Sequence, residues 1–256
     1  MNTATTRPVA LVSGASSGFG AAIARHLARS GHRVVAAARR SERLAELVAE
    51  FPGQIHAVPL DVRERSAISA LIANLPDDFA NIDVLVNNAG LALGLEPAQR
   101  AELDDWQQMI ETNCLGLVAL THAVLPSMVA RNRGHVINIG SIAGEYPYPG
   151  GNVYGATKAF VEQFTLNLKA DLLGTAVRVS NIEPGLSGGS EFSNVRFKGN
   201  DDKAAAVYAG TAPLTPDDIA DTVDWLISRP AHVNINSISI MPVCQAPGAL
   251  QVARKS

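Results

Sequence analysis

The sequence predicts an α/β fold, a doubly wound parallel sheet of about seven strands with helices on both faces. Three observations carry this. Short apolar runs recur along the chain, longer stretches of helical period separate them, and a glycine-rich turn joins the first run to the first helix. Residues 9–12 read as the first strand, 33–37 as the second, 55–58 as the third and 82–86 as the fourth. Residues 135–139 and 177–182 continue the series, and 235–240 close it. The runs are apolar or nearly so, as expected for strands covered on both faces.

The helical stretches follow from spacing. Ile23 and Leu27 stand at i, i+4 within 21–29, and Leu44, Leu47 and Val48 mark 42–50. Longer helices are expected over 103–130 and 153–172. Thr215-Pro216-Asp217-Asp218 starts another, with a capping hydroxyl, a proline at the first position and acids in the first turn. Residues 184–214 break the rhythm. They are rich in Gly, Ser, Asn and charge, and read as a long loop, the kind that often covers a binding site.

Residues 1–256 read as one domain, since no composition break, linker or repeat divides them. Lys and Arg number 21 against 24 Asp and Glu, a net charge of −3. That balance argues against a nucleic-acid partner. The polar start MNTATTRPVALVSG is unlike a signal peptide, and no apolar run approaches membrane-spanning length, so a cytoplasmic protein with no membrane partner is expected. Cys114 and Cys244 form neither a disulfide framework nor a zinc-type pair, and the six histidines are scattered, so no metal is expected.

Ser13-Gly14-Ala15-Ser16-Ser17-Gly18-Phe19-Gly20 lies between the first strand and the first helix. Its glycines permit a tight turn and let backbone N–H groups approach a pyrophosphate, to which the helix N-terminus adds partial positive charge. The spacing is G-x3-G-x-G, and its position between strand and helix points to a dinucleotide. The second strand chooses which. An NAD site usually places an acid about twenty residues beyond the first glycine; here the strand is apolar and ends in Arg39-Arg40. A 2′-phosphate is well matched by guanidinium groups, so the cofactor expected is NADP. Asp61-Val62 and Asn87-Asn88-Ala89-Gly90 end the third and fourth strands, where a parallel sheet opens its ligand crevice.

Ser141 lies just past the fifth strand, and Tyr154 and Lys158 share a helix face at i, i+4. A free tyrosine titrates at about 10, and a lysine ammonium beside it favours the phenolate. Tyr154 is thus a candidate general base, Lys158 its modulator, and Ser141 a donor to the substrate oxygen.

Together the glycine turn, Asn87-Asn88-Ala89-Gly90, Asn113, Ser141 and Tyr154-x3-Lys158 resemble the short-chain dehydrogenase/reductase family, with its Rossmann-type sheet. The serine-to-tyrosine interval of thirteen matches, and the resemblance runs from about residue 8 to 243. Ser13 stands where the family commonly has threonine, keeping the hydroxyl. The resemblance implies catalytic Asn113, Ser141, Tyr154 and Lys158. Tyr154 would take the hydroxyl proton, Lys158 would also hold the nicotinamide ribose, and Asn113 would help hold a proton-relaying water. Cofactor contacts are implied at Gly14, Ala15, Ser16, Ser17, Gly18, Phe19, Gly20, Arg39, Arg40, Asp61, Val62, Asn88, Ala89 and Gly90. Pro184, Gly185, Leu186 and Ser187 would approach the nicotinamide.

The variable segments 90–94, 151–160, 191–199 and 232–236 are similar to one subgroup, the bacterial NADP-dependent 3-hydroxy acid dehydrogenases, known also as serine 3-dehydrogenases or L-allo-threonine dehydrogenases. This implies oxidation of small 3-hydroxy acids at the 3-position or reduction of the matching oxo compound, and a homotetramer. Arg196 is the candidate to bind the substrate carboxylate through two hydrogen bonds, with Lys198 second. Tyr146, Tyr148 and Asn152 are candidates for the same pocket, with Pro147 and Pro149 stiffening its wall. Two alternatives stay open: a reductase of neutral ketones or sugars, and a non-catalytic NADP sensor on the same fold.

Overall fold

The computed structural model describes residues 7–248 and residue 252. Seven strands form one parallel sheet in the order β3-β2-β1-β4-β5-β6-β7. They are β1 (Val9–Ser13), β2 (Arg33–Ala38), β3 (Ile55–Pro59), β4 (Ile82–Asn87), β5 (Gly134–Ile139), β6 (Val177–Pro184) and β7 (Ser237–Ile240). Most strands run one or two residues past the apolar run that marks them, because ladder hydrogen bonds join backbones whatever the side chain. Asn87 pairs in register with Asn138, and Pro184 with Ile240. β7 starts later than the apolar pattern; before it, the Asn236 carbonyl still accepts from Asn181 N at 2.9 Å.

The helices are α1 (Gly18–Arg29), α2 (Ser41–Glu50), α3 (Arg65–Ala73), α4 (Asp77–Ala80), α5 (Leu103–Ile110), α6 (Leu117–Ala130), α7 (Asn152–Asp171), α8 (Phe192–Arg196), α9 (Asp201–Tyr208) and α10 (Pro216–Ile227). α10 begins in a capping box: Thr215 Oγ1 accepts from Asp218 N, and the Asp218 carboxylate accepts from Thr215 N at 2.7 Å. Neither α3 nor α4 carries a strong sequence signal. α8 and α9 correct the reading of 184–214 as loop throughout. Asn200 caps α9 by accepting from Lys203 N at 2.9 Å, so the polar composition supplies helix starts as well as turns.

Alternation along the strands divides the core. Ala10, Val12, Val34, Val84 and Ile137 face α1, α2 and α10 through Ile23, Leu27, Leu44, Leu47, Ile219 and Val223. Leu11, Val35, Leu85, Val136 and Val179 face α3, α6 and α7 through Ile68, Leu71, Leu120, Val124, Met128 and Leu168. Side chains in a strand point alternately to opposite faces, so a sheet covered on both sides is apolar on both, save where buried polar groups such as Asn87 and Asn138 pair with each other.

The continuous helical run Leu103–Ala130 is, by length and composition, long and apolar enough to cross a bilayer. It escapes a search for unbroken apolar stretches because Asp, Gln and Asn interrupt it. Here it is a core helix, with Leu117, Leu120, Thr121, Val124 and Met128 buried.

Candidate active site

The strand order reverses between β1 and β4, which leads two crossovers to opposite sides and opens a crevice at the carboxyl ends of the strands. A cleft of about 480 Å³ lies there. It is lined by Gly14, Ser16, Ser17, Gly18 and Phe19 of the first turn, by Arg39 and Arg40 after β2, and by Asp61 and Val62 after β3. Asn88, Ala89 and Gly90 after β4, Ser141 after β5, Tyr154 and Lys158 on α7, and Pro184 to Ser187 after β6 complete it.

The turn after β1 is clasped to the turn after β4. Ser13 Oγ accepts from Asn88 N and Ala89 N, both at 3.1 Å, and Asn88 Nδ2 donates to the Ser13 carbonyl at 2.9 Å. Gly14 has φ +68°, and a Cβ there would lie 2.9 Å from Asn88 Nδ2. A Cβ on Gly20 would strike the Gly14 carbonyl and come within 2.5 Å of Asn88 Nδ2. Gly20 and Ala15 do not line the cleft; they let α1 pack close enough to aim its N-terminus into it. Behind the turn after β4 is a buried polar ladder: Asn87 Nδ2 donates to Asn138 Oδ1 at 2.8 Å, and Asn138 Nδ2 to Thr165 Oγ1 at 2.9 Å. The close glycine cradle, the helix N-terminus and the two arginines fit a dinucleotide bearing a 2′-phosphate.

At the reaction centre Ser141 lies just past β5; its Oγ donates to the Pro184 carbonyl at 3.5 Å and favours the Tyr154 phenolate. Its Oγ also accepts from Ala143 N at 3.1 Å, which caps a short turn of 3-10 helix at residues 142–144. Lys158 Nζ donates to the Ile139 carbonyl at 2.8 Å and lies 5.8 Å from the centroid of the Tyr154 ring. Arg196 Cζ stands 5.5 Å from the same centroid. Burial, helped by the neighbouring Tyr148, pushes Tyr154 up to about 12; the Ser141 hydroxyl and the charge on Arg196 act the other way. Burial pushes Lys158 down to about 8. The residues at these positions thus make Arg196 a second cation bearing on the phenol, where sequence spacing pointed to Lys158 alone.

Asn113 sits in a turn of π-helix, Glu111–Gly116, between α5 and α6, the sort of insertion often found at functional sites. Its Oδ1 accepts from Leu91 N at 2.9 Å, and its Nδ2 donates to the Leu91 carbonyl at 2.8 Å and Thr157 Oγ1 at 3.0 Å. The side chain braces the wall of the cleft against α7 and does not line it. Cys114 beside it is buried, with its thiol pushed up to about 11 by desolvation, which matches a packing role.

Of the substrate candidates, Tyr146, Tyr148 and Arg196 line the cleft. Arg196 Nη2 donates to Tyr148 Oη at 2.7 Å, and Nε to the Gly94 carbonyl at 3.2 Å. Two expectations are corrected. Asn152 is turned away, donating to the Glu96 carbonyl at 3.2 Å and accepting from Val153 N, so it starts α7 and lines no pocket. Lys198, the second candidate for the carboxylate, pairs with Asp105 at 2.9 Å on the outside. Residues the sequence reading missed are Glu191, Phe192, Tyr208 and Gln245, all on the cleft wall. Phe192 packs edge-on against Tyr154 with centroids 5.8 Å apart, and Gln245 Oε1 accepts from Leu186 N at 2.7 Å. The partner of Phe192 is 38 residues away along the chain and that of Gln245 is 59, distances that no local spacing encodes.

The family model of short chain dehydrogenases matches residues 8–199. The NADP-dependent 3-hydroxy acid dehydrogenase YdfG of Escherichia coli (strain K12) is 58% identical over 247 residues, 96% of this chain and 100% of that protein. The serine 3-dehydrogenase of Rhizobium radiobacter is 49% identical over 246 residues, 96% of this chain and 98% of that protein. Among solved structures, the closed form of serine dehydrogenase complexed with NADP+ aligns with a TM-score of 0.93 at 58% identity, covering 96% of this chain and 100% of that one.

Proposed function

The chain belongs to the short-chain dehydrogenase family, and on that premise we propose that it is an NADP-dependent enzyme oxidising the 3-hydroxyl of small 3-hydroxy acids, serine-like ones included, or reducing the corresponding oxo acid or semialdehyde. The observation that carries the substrate class is the Arg196 guanidinium over the Tyr154 ring, 5.5 Å from its centroid and fixed by Tyr148 and the Gly94 carbonyl. A small molecule whose hydroxyl reaches Tyr154 and Ser141 then has its carboxylate, two carbons on, within reach of a positioned cation. An arginine so held keeps a bidentate carboxylate site with little ordering left to do. A neutral ketone or sugar gives this half-buried charge nothing to pair with, which disfavours that alternative.

In the oxidation, Ser141 donates a hydrogen bond to the substrate oxygen while Tyr154, as phenolate, accepts the hydroxyl proton. Bound NADP+ supplies the hydride acceptor and a positive charge near the phenol. The charge on Arg196 favours the phenolate against the burial that raises Tyr154, and Lys158 in its ammonium form, 5.8 Å from the ring centroid, would add positive charge beside it. Asn113 holds Leu91 and Thr157 so that Tyr154 and Lys158 keep their spacing, and it would help hold the water through which the proton leaves. Arg39 and Arg40 would grip the 2′-phosphate. Asp61 and Val62 would flank the adenine, and Pro184 to Ser187 the nicotinamide.

The family's assembly suggests a homotetramer, and the unpaired Cys114 and Cys244 fit a reducing compartment such as the cytoplasm. The test is a spectrophotometric rate with NADP+ and, separately, NAD+ over L-serine, L-allo-threonine, 3-hydroxybutyrate, 3-hydroxyisobutyrate and neutral alcohols. Turnover with NADP+ and a 3-hydroxy acid is expected. Activity on neutral alcohols alone would sink the acid pocket, and silence across the panel with NADPH still bound would favour the sensor.

A further inference from the structure

Arg40 stands at the rim where the 2′-phosphate of NADP would be held, yet its guanidinium already meets an anion. Nη1 and Nη2 donate to the two carboxylate oxygens of Glu191 at 3.2 and 2.8 Å. Nε and Nη2 also reach Ser16 Oγ, both at 3.3 Å, and Nη2 reaches Ser17 Oγ at 2.8 Å. Both donor edges of the planar group are therefore engaged. Arg40, Ser16, Ser17 and Glu191 all face the same cleft.

Glu191 comes from the other side of the site. It immediately precedes α8, and its carbonyl accepts from Val195 N at 2.9 Å in the first turn. The next residue, Phe192, lies against the Tyr154 ring, and α8 ends at Arg196. One ion pair thus joins the cofactor rim to the helix that carries the substrate cation. The side chains are 39% and 46% exposed, so the pair is weak and exchangeable. A phosphate approaching the engaged edge of Arg40 would meet the carboxylate at contact distance, where like charges repel.

We infer that Glu191 is an internal counter-anion that occupies the 2′-phosphate position at Arg40 and is expelled by it, so that recognition of the phosphate releases the start of α8 toward the substrate side. Glu191 is on this account a specificity-determining residue. It penalises NADP by its own removal and, in exchange, couples the extra phosphate to the substrate wall. The inference rests on the NADP reading above.

The test uses two probes that differ only in the 2′-phosphate: adenosine 2′,5′-bisphosphate and adenosine 5′-monophosphate. Calorimetric titration of wild type and Glu191→Gln, with matching thermal melts to establish folding, reads the competition. Glu191→Gln is expected to bind the bisphosphate roughly two- to fivefold tighter, the range of a half-exposed ion pair, and the monophosphate with the affinity of wild type. Amide exchange over residues 190–199 should quicken when wild type binds the bisphosphate and stay unchanged with the monophosphate. Unchanged or weaker binding of the bisphosphate by Glu191→Gln overturns the inference and makes the pair a support for Arg40. If wild type itself shows no preference for the bisphosphate, the NADP reading falls, and the inference with it.

Discussion

The strand-end turns and the 184–214 segment form opposite walls of one cleft, and they are held by different forces. The turns after β1, β4 and β5 are fixed by buried hydrogen bonds: Ser13 with Asn88 and Ala89, Asn87 with Asn138, Lys158 with the Ile139 carbonyl. The facing segment is held by the exposed pairs Arg40–Glu191 and Lys198–Asp105 and by the contacts of Phe192 and Arg196 with Tyr154. Buried polar networks are costly to break, whereas exposed ion pairs are worth little. On the proposed function, the groups for proton transfer therefore stand on the firmly held wall, and the cation proposed for the substrate carboxylate stands on one held by weaker contacts.

The strongest test of that division is Tyr154→Phe. Removing the base from the rigid wall should lower kcat about a thousandfold, within the range for a general acid–base residue. Binding of NADP+ by fluorescence titration should stay near wild type. A large loss of NADP+ affinity would mean that the two functions of the rigid wall are not separable.

The buried sheet beneath that wall also carries a pH signature. His135 on β5 contacts Ser180 Oγ at 2.8 Å and is pushed down to about 3 by burial, with a smaller contribution from Arg178. The unfolded chain takes up a proton as pH falls through about 6.5, whereas the native state resists until about 3. The unfolded state binds more protons throughout that interval, so stability falls with falling pH across it, by a few kcal/mol in total. His135→Gln should flatten the fall in melting temperature between pH 6.5 and the acid limit. An unchanged slope would assign acid lability elsewhere.

On the opposing wall, Arg196→Met should raise KM for a 3-hydroxy acid about ten- to a hundredfold, as for loss of a charge-assisted hydrogen bond. Turnover of a neutral alcohol should fall much less, by what the lost charge near Tyr154 contributes. A loss of kcat with unmoved KM would make Arg196 a tuner of Tyr154 instead of a carboxylate site. The smallest effect expected is that of Lys198→Ala. Its pair with Asp105 is an outside contact, and its removal should cost less than about 1 kcal/mol by thermal denaturation. A larger loss would show the facing wall to be anchored more firmly than its contacts imply.

The rigid wall was the legible one. Its parts are short motifs in which neighbouring residues do the work: a turn that needs glycine, a helix face four residues long, a strand that must be apolar on both sides. The two arginines are reached that way, whereas Ser141, Tyr154 and Lys158 were singled out by the family resemblance. The facing wall was legible only in part. Arg196 was a candidate from its residue type and the need for a cation. Asn152 looked equally suitable, and only the direction of its amide toward the Glu96 carbonyl removes it from the pocket. Short helices such as α3, α8 and α9 carry too few periodic positions to declare themselves.

By itself the sequence determined the sheet, the position of its crevice and the dinucleotide turn, because each follows from local backbone needs or from periodicity; the Ser-Tyr-Lys set was singled out by the family resemblance. Only the tertiary structure decided that Arg40 faces Glu191, 151 residues away, and that Arg196 shares the phenol with Lys158. Those relations arise where separate crossovers meet at the strand ends. The burial and charge that shift Tyr154 and Lys158 exist only once the chain has brought the two walls together.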